Sequence, residues 1–388
     1  MNGLFRTYLL AGGSALLYLL LISLIAKRPD AEDFFLFIIV AALVSGIADF
    51  RQWEVLTSSK NFWGADRAAA VAVAIRFEQF LMLPLLGIAY GLGVWVFGVL
   101  WGCLLVLYLL PFHWNAASPG QLCRIMQPAE YELAGHLSGL LSRLLALVLV
   151  AGGAELSWVV LVLAFREWVL AAWVARCLPC SDVRKLSGLG DWWVRARALL
   201  PGAISSWIKV ARTRGDALIC MMFLGDAEFV NLRLCAEYAG TAVQVARPAV
   251  VRLLPTSLRS AAQEGQIGGR TLTLSIAVAL ACGVCGILGL VVIYAIAGKT
   301  PDTVLWASVV GCVVGGFFAL AGYANRAMIV AGELVQEFNV LAVLLTLIQF
   351  ALIVWVADSG ITAYFFSLAF PFVILACTPL LIRRSRAK

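Results

Sequence analysis

The chain has 388 residues, 62% of them hydrophobic and 13% charged, with a mean hydropathy of +0.94. Soluble domains run at roughly 45–50% apolar and about 25% charged, so this composition excludes a soluble enzyme, a disordered chain and a small disulfide scaffold. The net charge of +7 sits on no separate basic domain, which argues against a nucleic-acid partner and for the loop asymmetry of a membrane protein.

A hydrocarbon core of about 30 Å needs roughly 20 apolar residues per helix. The first apolar run, 8–26, follows Arg6 and precedes Lys27-Arg28-Pro29-Asp30 without a small-residue cleavage site, so it reads as a retained helix rather than a signal peptide. A second helix is expected at 34–50, then a basic loop at 51–78. Helices at 79–94 and 95–112 are separated by a glycine-rich break, and Gly87-x-x-x-Gly91 suits close helix packing. A loop at 113–130 leads to helices at 131–152 and 156–174. After a basic segment at 176–199, six more are expected at 200–224, 229–250, 271–296, 303–323, 337–356 and 361–382. The expected fold is an all-α polytopic membrane protein, with about twelve transmembrane helices in two six-helix bundles. The N-terminal bundle spans 1–175, the linker 176–199 and the C-terminal bundle 200–388. Within the linker, Asp191-Trp192-Trp193-Val194-Arg195-Ala196-Arg197 has the character of a segment lying along the membrane interface.

The loops alternate in charge. One side carries nineteen of the 29 basic residues and the other only Lys27, Arg28 and Lys299, which places both termini in the cytoplasm. No outer loop exceeds seven residues and no inner loop is long enough to bury a core of its own. Chemistry therefore belongs between the helices. Most of the ten cysteines fall in apolar runs, and Cys177-x-x-Cys180 lacks a second pair to complete a zinc site. His113 and His136 lie near the cytoplasmic edge, and neither metal nor cofactor is expected.

Seven basic residues remain inside predicted spans: Arg143, Arg166, Lys209, Arg212, Arg214, Arg233 and Arg247. The clear intramembrane acids are Glu167, Asp216 and Glu237. Each charge costs roughly 2.5–3.5 kcal/mol at the bilayer centre on insertion scales, so such groups face a bundle interior or a wet cavity. Lys209, Arg212 and Asp216 recur at i, i+3, i+7 on one face of a regular helix. The spacings Arg212–Asp216 and Arg233–Glu237 allow i,i+4 ion pairs, and Arg247 near a helix end can snorkel. Arg143 has no acid at i±3 or i±4, and Arg166 has only the adjacent Glu167, which points elsewhere on the helix. An unpaired mid-membrane guanidinium calls for an anion, and its planar fork matches phosphate oxygens.

The opening reads Ala26-Lys27-Arg28-Pro29-Asp30-Ala31-Glu32-Asp33-Phe34-Phe35 and then Ile47-Ala48-Asp49-Phe50. Further on stand Arg214-Gly215-Asp216-Ala217-Leu218, Phe223-Leu224-Gly225, Cys235-Ala236-Glu237-Tyr238-Ala239 and Arg252-Leu253-Leu254-Pro255. These stretches resemble polysaccharide flippases of the Wzx type in the MATE-like transporter superfamily. The chain departs from that pattern at Arg51 and over Asp226-Ala227-Glu228-Phe229-Val230, where the family carries glycine and glycine-tyrosine turns.

The resemblance implies a multi-pass protein of the bacterial inner membrane, not an enzyme, that moves polyprenyl-pyrophosphate-linked oligosaccharide by alternating access. Its partners would be that lipid-linked oligosaccharide, membrane lipid and a glycan polymerase or other assembly proteins. On that reading Arg143 and Arg166 bind the pyrophosphate, with Lys209, Arg212 and Arg233 across the cavity, and Asp216 or Glu237 takes up a coupling cation. Three alternatives stand beside it. A cationic-drug exporter of the same superfamily would want an acidic interior, and seven bases outnumber three acids here. A glycan polymerase or ligase would want a large outer loop, and no outer loop here exceeds seven residues; the third alternative is a non-transporting membrane subunit of a glycan-synthesis complex.

Overall fold

A computed structural model of the chain describes residues 2–58, 67–178, 189–238 and 334–356, with single positions between 240 and 306. No strand occurs among the described residues. The helices are α1 (Asn2–Ile25), α2 (Ala31–Ala48), α3 (Gln52–Ser58), α4 (Arg67–Phe97), α5 (Val99–Ala116), α6 (Ser118–Met126), α7 (Pro128–Ala151), α8 (Leu156–Cys177) and α9 (Leu189–Val210). A π-helical turn, Ala211–Gly215, joins α9 to α10 (Asp216–Phe223). Residues 226–238 are helical (α11), and α12 is Val335–Trp355. Helices α2, α5, α7, α8, α12 and the Val71–Phe97 part of α4 are long and apolar enough to cross a bilayer. The protein is an all-α, multi-pass membrane protein. The helices expected at 271–296, 303–323 and 361–382, and Arg247, lie outside the described residues.

Three expectations shift. The break between the third and fourth spans falls at Gly98, whose φ of +90° excludes most side chains, so α4 runs through the earlier glycines to Phe97. Gly87 and Gly91 make no close packing among the described residues, where a Cβ at either would meet nothing within 4 Å. The close crossing is instead at Gly93 and Gly102, where a Cβ on Gly93 would stand 2.7 Å from the Gly102 Cα. Finally, the segments 51–78 and 113–130 are largely helical rather than loops: α3, α6 and the first turns of α4 occupy them. They are too short or too polar to read as spans, yet Trp53, Val71, Ala74, Leu122, Cys123 and Ile125 pack with Tyr131, Leu170 and Val174 into one core cluster.

The larger core is built on α2, where Phe34, Phe35, Phe37 and Ile39 pack against Leu105, Leu109, Val159 and Phe229. Phe37 meets the rings of Trp101 and Tyr108 at 5.5 and 5.7 Å between centroids. Between lipid-immersed helices such packing substitutes for the hydrophobic drive that water would supply. Backbone defects are sealed locally. Pro111 inside α5 has no N–H, which frees the Leu107 carbonyl four residues back. The Trp168 indole of α8 donates to that carbonyl at 3.0 Å.

Among the described residues the N-terminal helices touch the C-terminal ones at several further places. Leu19 and Ile22 of α1 pack with Leu234 and Tyr238 of α11, and Ser23 shares a 2.6 Å hydrogen bond with Tyr238. At the end of α2, the Trp207 indole of α9 donates to the Ile47 carbonyl at 2.8 Å, and Ser206 donates to Asp49 at 3.1 Å.

Candidate functional site

Ser14 and Tyr18 stand one turn apart on α1 and therefore share a face. Arg143 of α7 reaches across to that face. Its Nη1 donates to the Ser14 carbonyl and hydroxyl, both at 2.7 Å, and its guanidinium lies 4.6 Å from the centroid of the Tyr18 ring. A cation over a desolvated aromatic face gains up to about 2 kcal/mol, so Arg143 is held from two directions, with no carboxylate in direct contact among the described residues.

Arg166 of α8 comes to the same place over Gly139 of α7. A Cβ on Gly139 would stand 3.0 Å from the Ser14 hydroxyl and 3.6 Å from Arg166 Nε. The missing side chain makes room for the guanidinium beside the Arg143–Ser14 contact. The expectation that Glu167 points away from Arg166 is overturned, because the long arginine side chain folds back and its Nη1 pairs with Glu167 Oε1. The other Glu167 oxygen accepts from Asn115 Nδ2 of α5 at 2.8 Å. Arg166 Nε is buried and makes no hydrogen bond among the described residues.

Tyr18 carries the cluster into the second half. Its hydroxyl donates to Glu237 of α11 at 2.9 Å. Glu237 also receives Arg233 at 2.9 Å, as the i,i+4 spacing allows, and Arg214 at 3.5 Å. Tyr108 of α5 lies within electrostatic reach of Arg166, Glu167, Arg214 and Glu237.

The stripe of Lys209, Arg212 and Asp216 does not run as a regular helix would have it. The π turn at Ala211–Gly215 widens the helix by one residue and rotates α10 relative to α9. Arg214 thereby reaches Glu237, while Arg212 is buried at 3% exposure and its carbonyl accepts from Gln349 of α12 at 3.3 Å. Asp216 is buried, caps the Ala217 N–H at 2.7 Å and acts electrostatically on Arg233. Lys209 is exposed and acts on Asp49 at the end of α2.

Of the expected binding residues, the structure thus gathers Arg143, Arg166 and Arg233 around Tyr18 and Glu237. It adds Arg214, an intramembrane charge to which no binding role was given, and Ser14, Tyr18, Tyr108 and Asn115, none of which the charge pattern selected. Five arginines (143, 166, 212, 214, 233) stand against three carboxylates (167, 216, 237) in this part of the protein. Arg166 and Arg214 keep 25% and 30% of their side-chain surface open, so they are paired without being sealed. Such an arrangement can receive an anion, since a guanidinium offers five donors and one carboxylate uses at most two.

Elsewhere His136 meets Glu132 at 3.2 Å, and Glu132 meets Arg124 at 3.2 Å, an interhelical tie between α6 and α7. Among the described residues no group of three or more His, Cys, Asp or Glu could hold a metal ion.

The helical arrangement is similar to solved structures along its whole length. The chain matches an inward-facing multidrug resistance MATE family transporter of the MOP superfamily at a TM-score of 0.60 and 14% identity, covering 98% of this chain and 94% of that one. It matches the eukaryotic MATE transporter AtDTX14 at a TM-score of 0.63 and 13% identity, covering 98% and 96%. The fold is that of the MATE transporters. The fold class expected from the sequence, an all-α polytopic membrane protein, is therefore borne out. A third MATE-fold neighbour is a MOP superfamily transporter from Pyrococcus furiosus, described as having a binding pocket of reversed polarity that suggests a different function (TM-score 0.54, 13% identity, 99% and 95% covered). No protein-family model and no curated protein matches the sequence.

Proposed function

We propose that the chain is a transporter, not an enzyme, that moves polyprenyl-pyrophosphate-linked oligosaccharide across the bacterial inner membrane by alternating access. The observation that carries the reading is the excess of arginine at the contact between the halves, with Arg143 and Arg166 brought together over Ser14 and Gly139. In the Pyrococcus furiosus neighbour, pocket polarity is the feature taken to separate functions within the fold. The same reasoning applied here favours an anionic cargo over a cationic drug. A pyrophosphate offers the oxygens that planar guanidinia engage through parallel hydrogen bonds, and its lipid tail can remain in the bilayer. Both termini and the basic loops then face the cytoplasm.

The direct experiment follows the leaflet location of lipid-linked oligosaccharide in cells that lack the protein. The expected result is accumulation on the cytoplasmic leaflet, relieved by wild type but not by Arg143→Ala. Accumulation of unpolymerised repeats on the outer leaflet would identify a polymerase or ligase instead. Accumulation on neither leaflet would overturn the proposed cargo.

A further inference from the structure

A second buried polar group lies where α2, α4 and α5 meet, and the proposed function leaves it unused. Glu78 of α4 and His113 of α5 are both fully buried. His113 Nδ1 contacts the Ser45 hydroxyl of α2 at 3.0 Å. His113 Nε2 faces Glu78 Oε2 at 3.4 Å, yet neither atom makes a hydrogen bond among the described residues. The other Glu78 oxygen accepts from Gln52 Nε2 of α3 at 3.3 Å, and the carbonyl end of that same carboxamide accepts from Arg195 Nε of α9 at 3.1 Å. One amide therefore links the carboxylate to a helix of the second half.

We propose that His113 and Glu78 form a proton-binding site whose occupancy controls the contact between α3 and α9. The neighbouring charges leave that role open. From the end of α2, Asp49 receives Ser206 and the Arg51 N–H, and burial raises its carboxyl above the ordinary range against the opposing charge of Arg51. Arg51 is paired with Glu54 of α3. From α4, Arg76 is exposed. From α6, Arg124 is joined to Glu132. From α8, Glu167 is held by Arg166 and by Asn115. From α9, Lys209 acts on Asp49, while Arg195 touches Gln52 rather than Glu78. Among the described residues the imidazole is thus the group in place to neutralise Glu78.

Without a proton on Nε2, a lone pair faces a carboxylate in a site that excludes water. With Nδ1–H donating to Ser45, a second ring proton on Nε2 creates an N–H donor aimed at Glu78 Oε2 and completes a buried ion pair. The carboxylate then shares its charge with the imidazolium and holds Gln52 less tightly, which loosens Gln52 from Arg195. By linkage, whatever separates α3 from α9 makes the site bind its proton more strongly. The inference is independent of the cargo and stands or falls without it.

The chain has two histidines, so the full-length H136Q protein carries a single imidazole. Nitrogen-15 histidine NMR of that protein in lipid nanodiscs reads its protonation between pH 5 and 9. The expected result is one titration whose midpoint falls in H136Q/E78Q, since that substitution removes the carboxylate facing Nε2. Hydrogen exchange of the α3 amides, corrected for intrinsic rates, should change with pH at the same midpoint and become flat in H113Q. If H136Q does not fold, wild type compared with H113Q assigns the two signals and serves the same purpose. An imidazole that does not titrate, a midpoint indifferent to E78Q, or α3 protection that is equal at both pH extremes would each overturn the proposal.

Discussion

Replacing Glu237 by Gln tests whether the contact between the halves is an energetic link or only a meeting of surfaces. Glu237 receives Tyr18 and Arg233 at 2.9 Å and Arg214 at 3.5 Å. Removing one member of a buried ion pair costs about 3–5 kcal/mol, because the partner charge stays behind. Gln keeps the shape and one acceptor, which puts Glu237→Gln at the lower end, about 3 kcal/mol. Tyr18→Phe deletes only the hydroxyl, keeps the ring beneath Arg143, and costs about 1.5–3 kcal/mol as a hydrogen bond to a charged acceptor. The two share one bond, so their combined cost should fall short of the sum by about 1–2 kcal/mol. Reversible unfolding of the four proteins in mixed micelles measures this cycle. Costs that add to within about 0.5 kcal/mol would show that the Tyr18–Glu237 bond carries no energy. Such a result would falsify the claim that α1 and α11 are joined through it. The same substitution leaves Arg214 and Arg233 less neutralised, and it should tighten binding of inorganic pyrophosphate by about tenfold, or 1.4 kcal/mol.

Arg143→Ala and Arg166→Gln should each abolish glycan export while membrane abundance, measured by immunoblot, stays near wild type; normal export in both would remove them from the binding site. Gly93→Leu should destabilise the α4–α5 hairpin by about 1–3 kcal/mol, measured as a lower Tm in detergent, because its side chain would enter space taken by Gly102 and Leu105. Trp168→Phe should cost about 1 kcal/mol or more by leaving the Leu107 carbonyl without its donor, and Leu109→Ala, a control elsewhere on α5, should not couple to it in a double-mutant cycle. Burial pushes the Cys123 thiol up to about 12, so about one thiol in ten thousand is ionised at pH 8. Mass spectrometry should find it unmodified by N-ethylmaleimide until the protein is unfolded.

The helices that cross the bilayer were legible because their apolar windows have the length that lipid demands. The short helices were not, because α3 and α6 have neither that length nor that composition, and what fixes them is packing against Trp53, Tyr131 and Leu170 from distant parts of the chain. The cationic character of the interior was also legible, since arginine in an apolar run stands out whatever its surroundings. Its geometry was not. A 3.6-residue period carried Lys209, Arg212 and Asp216 onto one face, and the π turn at Ala211–Gly215 breaks that register and lets Arg214 reach Glu237. The pairing of Arg166 with its own neighbour in sequence escaped for a similar reason, because backbone direction does not limit where a four-bond side chain ends. Ser14 and Tyr18 carried a signal that charge counting overlooks: two polar side chains at i,i+4 in an otherwise apolar helix share a face that must meet other polar groups.

The pairing of these arginines bears on how a cargo could be both held and released. An unopposed guanidinium in lipid would cost several kcal/mol in the empty protein and would bind a phosphate too firmly to give it up. Here Arg166 leans on Glu167, while Arg214 and Arg233 lean on Glu237, and both carboxylates have a second, neutral donor in Asn115 and Tyr18. On the proposed function an arriving pyrophosphate exchanges one set of oxygens for another around the same nitrogens, while the neutral donors keep the displaced carboxylates hydrogen-bonded. The exchange lies near balance in both directions, as a carrier that loads on one side and unloads on the other requires. Removing a neutral donor, as in Tyr18→Phe, should therefore weaken pyrophosphate binding even though Tyr18 itself faces the protein's own carboxylate. Titration calorimetry with pyrophosphate on Tyr18→Phe and Glu237→Gln separates the two effects: opposite changes in affinity support the exchange, and changes of the same sign refute it.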